Sequence, residues 1–253
     1  RSAAVLAEID PLPAIMQLKL LSAPFFRRPP SGFCEGPLVE QSGILAMYQG
    51  QMWESVRKLL PLLKQAGVAF ELLSPTEVTE KITVISPKQL DGAIYLPEDG
   101  LLDVHALLWA YLRQARKRGA ELRYGVEVQG LLVKRGRCHG VATSKGAFRA
   151  RTVVNAAGAW AGHIGKLAGA ANIRLTPRKR TVLTFGLPEG LDAKAWPFAF
   201  NHSHQLYFGP ESGGLLASPM DQEPVEPCDA KPDNMAVAQT LDRIERLVPR
   251  LLP

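Results

Sequence analysis

The chain has 253 residues, 46% hydrophobic and 21% charged, with 22 Gly, 20 Pro and a formal net charge of +6. This is the balance of a folded globular protein, and the most apolar runs, Leu59 to Leu63 and Val153 to Ala161, are far too short to span a bilayer. The basic residues are dispersed over Arg27-Arg28, Arg113 to Arg118, Lys134 to Arg137 and Arg178 to Arg180 without a recognised RNA module or zinc finger, so a solvated basic surface and no nucleic-acid partner are expected.

The start does not read as a secretory leader, because Arg1-Ser2-Ala3-Ala4-Val5-Leu6-Ala7 meets Glu8 and Asp10 before an apolar core accumulates. Met16, Leu20, Leu21 and Phe25 form a helical stripe that stops at Pro29-Pro30. A second helix is predicted over Gln51 to Ala66, ended by Gly67. The clearest helix follows Asp103 as N-cap, with Val104, Leu107, Leu108, Tyr111, Leu112 and Ala115 as a core stripe and Gly119 closing it.

After Gly119 the period becomes extended. Ala120 to Tyr124 and Val126 to Val133 read as strands, Arg135-Gly136-Arg137 turns into Cys138 to Thr143, and Ser144-Lys145-Gly146 turns again. Thr152 to Asn155 has the composition of a strand buried on both faces of a parallel sheet. Ala156-Ala157-Gly158 would turn it into a helix over Ala159 to Ala168, whose N-terminus suits an anion; a tight packing turn without a ligand explains Ala-Ala-Gly equally well. Further strands are expected at Thr181 to Phe185, Gln205 to Phe208 and Leu215 to Ala217, and a last helix through Met235, Ala238, Leu241 and Val248.

Three scattered cysteines favour a reducing cytoplasm over a disulfide framework. His202 and His204 would share a strand face, but without a third ligand they define no metal site.

Val153-Val154-Asn155-Ala156-Ala157-Gly158-Ala159-Trp160-Ala161, followed by Pro177 and a basic run into a strand, resembles the D-amino-acid oxidase-like family of FAD-dependent oxidoreductases. Within it the chain is most similar to the D-arginine dehydrogenase type of D-amino-acid dehydrogenase. That likeness runs through Arg1-Ser2-Ala3-Ala4, Pro29 to Glu35, Asp103 to Leu107, Pro177 to Thr181, Tyr207-Phe208 and Leu215 to Pro219. It implies an α/β (α+β) fold: an FAD-binding parallel-sheet domain, incomplete, drawn from 1–30 and 95–172, and a mixed or antiparallel substrate domain from 31–94 and 173–253. No Gly-x-Gly-x-x-Gly fingerprint is present, so the chain is expected to be an internal fragment lacking both termini.

The same likeness implies oxidation of the Cα–N bond of a D-amino acid by hydride transfer to flavin, with oxygen, a quinone or another carrier as the unidentified acceptor. Arg180 matches a carboxylate-binding guanidinium, whose forked donors suit two oxygens, and Tyr207 matches a residue holding the same group. On the residues alone, Arg180 reads as a surface salt-bridge partner, and Tyr207 equally as an amphipathic strand residue with its ring in the core. Ser2, Ala3, Val128, Ala157 and Gly158 match cofactor contacts; Val128 alone would be a plain β-core residue. Ile44 stands where the D-arginine dehydrogenase type has an acid, so neutral or apolar side chains are expected to be preferred. Val5, Ala7 and Asp10 depart from the family pattern, and no catalytic residue is assigned. Two alternatives stay open: an FAD-dependent 2-hydroxy-acid or glycerol-phosphate dehydrogenase, and a non-catalytic remnant or binding module.

Overall fold

A computed structural model describes residues 4–170, 173–211, 213–231 and 233–252. The chain falls into two compact units, one from 1–118, 180–221 and 232–253, the other from 119–179 and 222–231. In the first unit the order is β1 (Ala4–Leu6), α1 (Pro13–Arg27), β2 (Val39–Glu40), β3 (Ile44–Tyr48), α2 (Gln51–Arg57), α3 (Leu60–Gln65), β4 (Glu71–Leu73), α4 (Pro75–Lys81), β5 (Gly92–Leu96), β6 (Gly100–Leu102) and α5 (Val104–Lys117). The second unit contributes β7 (Val128–Lys134), β8 (Arg137–Thr143), β9 (Gly146–Arg149) and α6 (Ala161–Leu167). The chain then adds β10 (Leu183–Phe185), β11 (Phe198–Asn201), β12 (Leu206–Glu211), β13 (Gly214–Ser218) and α7 (Asn234–Leu247) to the first.

The first unit is built on a seven-stranded mixed sheet in the order β10-β13-β12-β11-β3-β5-β4, in which only β11 and β3 run parallel. Residue alternation sends Leu45, Met47, Ala199, Leu206, Phe208, Leu215 and Ala217 into one core. The opposite face carries Ile44, Ala46, Tyr48, Ile94, Leu96, Phe198 and Leu216, packed by Met16 of α1 and by Val56 and Leu63 of α2 and α3. The mixed sheet agrees with the expected fold class. Its central strands β3, β5 and β11 were not among the predicted elements, because runs buried on both faces lose the polar-apolar alternation that marks a strand.

β1, β6 and β2 make a small antiparallel sheet in which a Cβ at Gly100 would sit 1.9 Å from the Glu40 carbonyl oxygen, so only glycine allows that approach. Beside it lies a buried ion cluster. Arg27 donates to Glu8 Oε1 and Oε2 at 3.1 and 2.8 Å and to Asp99 Oδ1 at 2.8 Å, while Asp99 Oδ2 accepts the Glu8 amide at 2.8 Å.

Several expected elements are corrected. The helix over Gln51 to Ala66 is two helices, because Pro61 has no N–H to continue the ladder to Arg57; Gly67 does close the second at φ +74°. α5 is capped by Asp103, whose Oδ1 accepts the Ala106 amide at 2.8 Å, yet its buried line runs through Ala110 while Leu108 and Tyr111 are exposed. In α1, Leu21 is likewise exposed and Ala23 buried. α7 buries Ala236, Thr240, Ile244 and Leu247, and leaves Met235 and Leu241 exposed. Thr240 can lie inside because its hydroxyl donates to the Ala236 carbonyl.

In the second unit β7, β8 and β9 form a meander, turned at Arg135 and Gly136 with φ of 53° and 73°. Ala120 to Tyr124 is not a strand. Thr152 to Asn155 forms no strand either, and Val154 is 82% exposed, against the buried strand expected. The helix over Ala159 to Ala168 shortens to a 3-10 turn at Gly158–Trp160 and the seven residues of α6, too short for an anion site at its N-terminus.

Candidate functional site

Two groups of expected site residues lie in the two units. In the second, Val128 and Ala157 line one cleft of about 1350 Å3, with Gly158 between lining residues Ala157 and Ala159. Leu131 and Val141 of the meander line it, as do Val154, Trp160 and His163. Asn155 shapes the turn: its Nδ2 donates to the Ala161 carbonyl at 2.8 Å and its Oδ1 accepts the Ala157 amide at 3.3 Å. That amide is therefore already used, and Gly158 takes the left-handed φ of +56° that a side chain disfavours. Lys166 and Arg174 also line the cleft and have no acidic partner among the described residues. Glu127 and Glu226 line the cleft as well; its apolar lining with the cations Lys166 and Arg174 suits an aromatic ring system carrying phosphates. Ser2 and Ala3 lie outside the described residues.

In the first unit Ile44 and Tyr207 share one face of the seven-stranded sheet. Ile44 is opposite Phe198 in the parallel register and is almost wholly covered. Tyr207 is half-buried, its ring 5.7 Å from Phe198 and 5.5 Å from Phe200. The row continues through His202, stacked 5.8 Å from Phe200 and 5.0 Å from Tyr48. Burial, and then Lys19, push the His202 pKa down, while burial pushes the Tyr48 hydroxyl up, so this aromatic shelf is neutral at pH 7. His202 lies in a turn after β11, not on a strand with His204; among the described residues no three metal-ligating side chains gather.

Arg180 is exposed, three residues ahead of edge strand β10, and has no ion pair among the described residues. Thr184 of β10 is opposite Leu216, on the face that carries Tyr207. Phe200, His202 and Tyr48 were missed as site residues. Phe198-x-Phe200-x-His202 has the period of two that could have flagged them.

A family model described as DAO, FAD dependent oxidoreductase, matches residues 3–253. The chain belongs to that family. The dimethylglycine dehydrogenase of Mus musculus mitochondria is 29% identical over 153 residues, which are 60% of this chain and 18% of that protein. The pyruvate dehydrogenase phosphatase regulatory subunit of the same species is 31% identical over 111 residues, 44% of this chain and 13% of that protein. The solved L-proline dehydrogenase of P.horikoshii shares the fold, with a TM-score of 0.82 and 21% identity over 97% of this chain and 65% of that one. The chain thus spans less than a fifth of these curated relatives. The family is FAD-dependent, and the apolar lining of the second unit's cleft, with Lys166 and Arg174, fits that cofactor. No helix among the described residues is long and apolar enough to cross a membrane.

Proposed function

We propose that this chain is part of an FAD-dependent oxidoreductase that oxidises the Cα–N bond of a small amino acid with a neutral side chain, achiral or of D configuration. The observation that carries this reading is an unpaired guanidinium, Arg180, ahead of the edge strand of a sheet whose helix-packed face bears the half-buried Tyr207 among neutral aromatic rings. A guanidinium holds a carboxylate through two parallel hydrogen bonds. The tyrosine hydroxyl adds a third donor, and the apolar rings exclude water from the rest of the substrate. Ile44 is almost wholly covered and supplies no carboxylate to a cationic substrate, which favours D-leucine over D-arginine. In the second unit Val128, Ala157 and Gly158 would hold part of the FAD, which when bound supplies the two-electron acceptor. Similarity to a dimethylglycine dehydrogenase and to the fold of an L-proline dehydrogenase supports an amino acid over a hydroxy acid.

The test is anaerobic bleaching of the FAD-loaded, full-length protein with N,N-dimethylglycine, L-proline, D-leucine, D-arginine and a 2-hydroxy acid. Bleaching by a neutral amino acid, with KM raised about 100-fold or more in Arg180→Met, is expected. Preferential bleaching by D-arginine or by the hydroxy acid would overturn the substrate reading, and by L-proline alone the stereochemical one. A second reading, a non-catalytic binding module, is favoured by the likeness to a regulatory subunit. A full-length protein that takes up no FAD would establish it.

A further inference from the structure

We infer that Asp221 is a positioning residue that aims Arg180, an inference that rests on the carboxylate-binding reading above. Asp221 follows β13 and turns both carboxylate oxygens on Thr181: Oδ1 accepts the Thr181 amide at 2.7 Å and Oδ2 accepts its hydroxyl at 2.8 Å. Thr181 is the residue next to Arg180, so this two-point clamp fixes the backbone from which the guanidinium projects. The clamp also engages both oxygens. The clamp brings this carboxylate to the residue next to an arginine, yet Arg180 makes no ion pair among the described residues. With both oxygens engaged by Thr181 and its charge facing Arg243 of α7, Asp221 leaves the guanidinium to an incoming carboxylate.

The corner that carries Asp221 is itself held. Ser218 Oγ accepts the Met220 amide at 3.2 Å, and Met220 takes a φ of 54°, which a non-glycine residue adopts only where its surroundings impose it. Arg243 of α7 donates to the Gln205 carbonyl at 2.7 Å and to the Pro219 carbonyl. Ser218 is opposite Tyr207 in the β12-β13 register. One corner, Ser218 to Asp221, thus adjoins the strand of Tyr207 and clamps the neighbour of Arg180, coupling the placement of the two groups assigned to the substrate carboxylate.

The experiment uses the FAD-loaded, full-length protein and the amino acid that bleaches its flavin, with the methyl ester of that amino acid as the ligand lacking a charged carboxylate. Asp221→Ala is expected to raise KM for the acid about tenfold, leave kcat within about twofold and leave KM for the ester unchanged. Asp221→Asn, which can still accept the amide and donate to the hydroxyl, is expected to restore most of the loss. Thr181→Val, missing only the hydroxyl, is expected to raise KM about threefold even if Asp221→Ala fails to fold, and Thr181→Ser to reverse it. In an Arg180→Met background, Asp221→Ala should add nothing. An effect of equal size on the ester, a fall in kcat instead of a rise in KM, or additivity with Arg180→Met would overturn the inference. If Arg180→Met itself leaves KM unchanged, the carboxylate-binding reading falls; if Arg180→Met raises KM and neither Asp221→Ala nor Thr181→Val does, only the positioning role falls.

Discussion

The two units treat apolar sequence in opposite ways. In the first, β3 is the run Ile-Leu-Ala-Met-Tyr, hydrogen-bonded to β11 on one side and β5 on the other, and all five residues are buried. In the second, the run Val153-Val154 has no strand beside it among the described residues, and Val154 is exposed. Every fully buried hydrophobic side chain described belongs to the first unit, whereas Val128, Val154, Trp160, Ile173 and Leu175 of the second remain open to solvent. An apolar run is buried when it has neighbours on both edges and both faces; composition is necessary for that and does not suffice. Where the neighbours are absent, the same residue types line a cleft.

The comparison is broken most directly at Phe208, at the centre of the larger core and 1% exposed. Phe208→Ala removes most of an aromatic ring from a closed environment and is expected to destabilise the protein by about 3–5 kcal/mol. Leu131→Ala, on the half-buried wall of the second unit, is expected to cost about 1 kcal/mol or less. Urea denaturation followed by circular dichroism measures both. Equal losses would mean that the second unit has a core of comparable tightness.

A smaller effect sharpens the first unit's side of the comparison. Asp99 is buried without surface exposure, and desolvation, opposed by the Glu8 amide and reinforced by the Glu8 charge, raises its carboxyl from about 3.8 to about 6. The folded state therefore holds a proton that the unfolded chain releases in this window. The contribution to stability is full below about pH 3.8 and is lost as pH rises through about 6, a change of order 2–3 kcal/mol. Asp99→Asn keeps an acceptor for the Glu8 amide and has no proton to release, so the fall in stability between pH 4 and 6 should flatten. An unchanged pH profile would show that Asp99 does not titrate in this window.

How much of this was legible in the sequence follows the same division. Local signals read true: the Asp103 cap, the Arg135-Gly136 turn, and the strands around Leu183, Leu206 and Leu215 each depend on residues a few positions apart. What failed depended on partners far along the chain. β3 and β11 are separated by more than 150 residues and pair in parallel, and neither alternates in polarity. The phases of α1, α5 and α7 slipped because the burial of Ala23, Ala110 and Thr240 is decided by what packs on them, not by their own hydrophobicity. At the candidate site, Val128 and Ala157 could be expected together only through family likeness, whereas Asp221 carries no sequence signal at all: forty residues separate it from the threonine it clamps.

The smallest stability effect is also the most discriminating. Val154 is 82% exposed and lies outside any ladder among the described residues, so Val154→Asp removes no packed contact and buries no charge in the cofactor-free protein. Its unfolding free energy should change by about 0.5 kcal/mol or less. FAD seated in the cleft would cover that position, and an aspartate there would be desolvated beside a ligand that already carries negative phosphates, so FAD affinity should fall by about tenfold or more. Paired urea denaturation of the cofactor-free protein and fluorescence titration with FAD separate the two effects. A large loss of stability without FAD would mean that Val154 is core after all, and unchanged FAD affinity would move the cofactor away from this wall; the expected split identifies its apolar surface as shaped for a ligand.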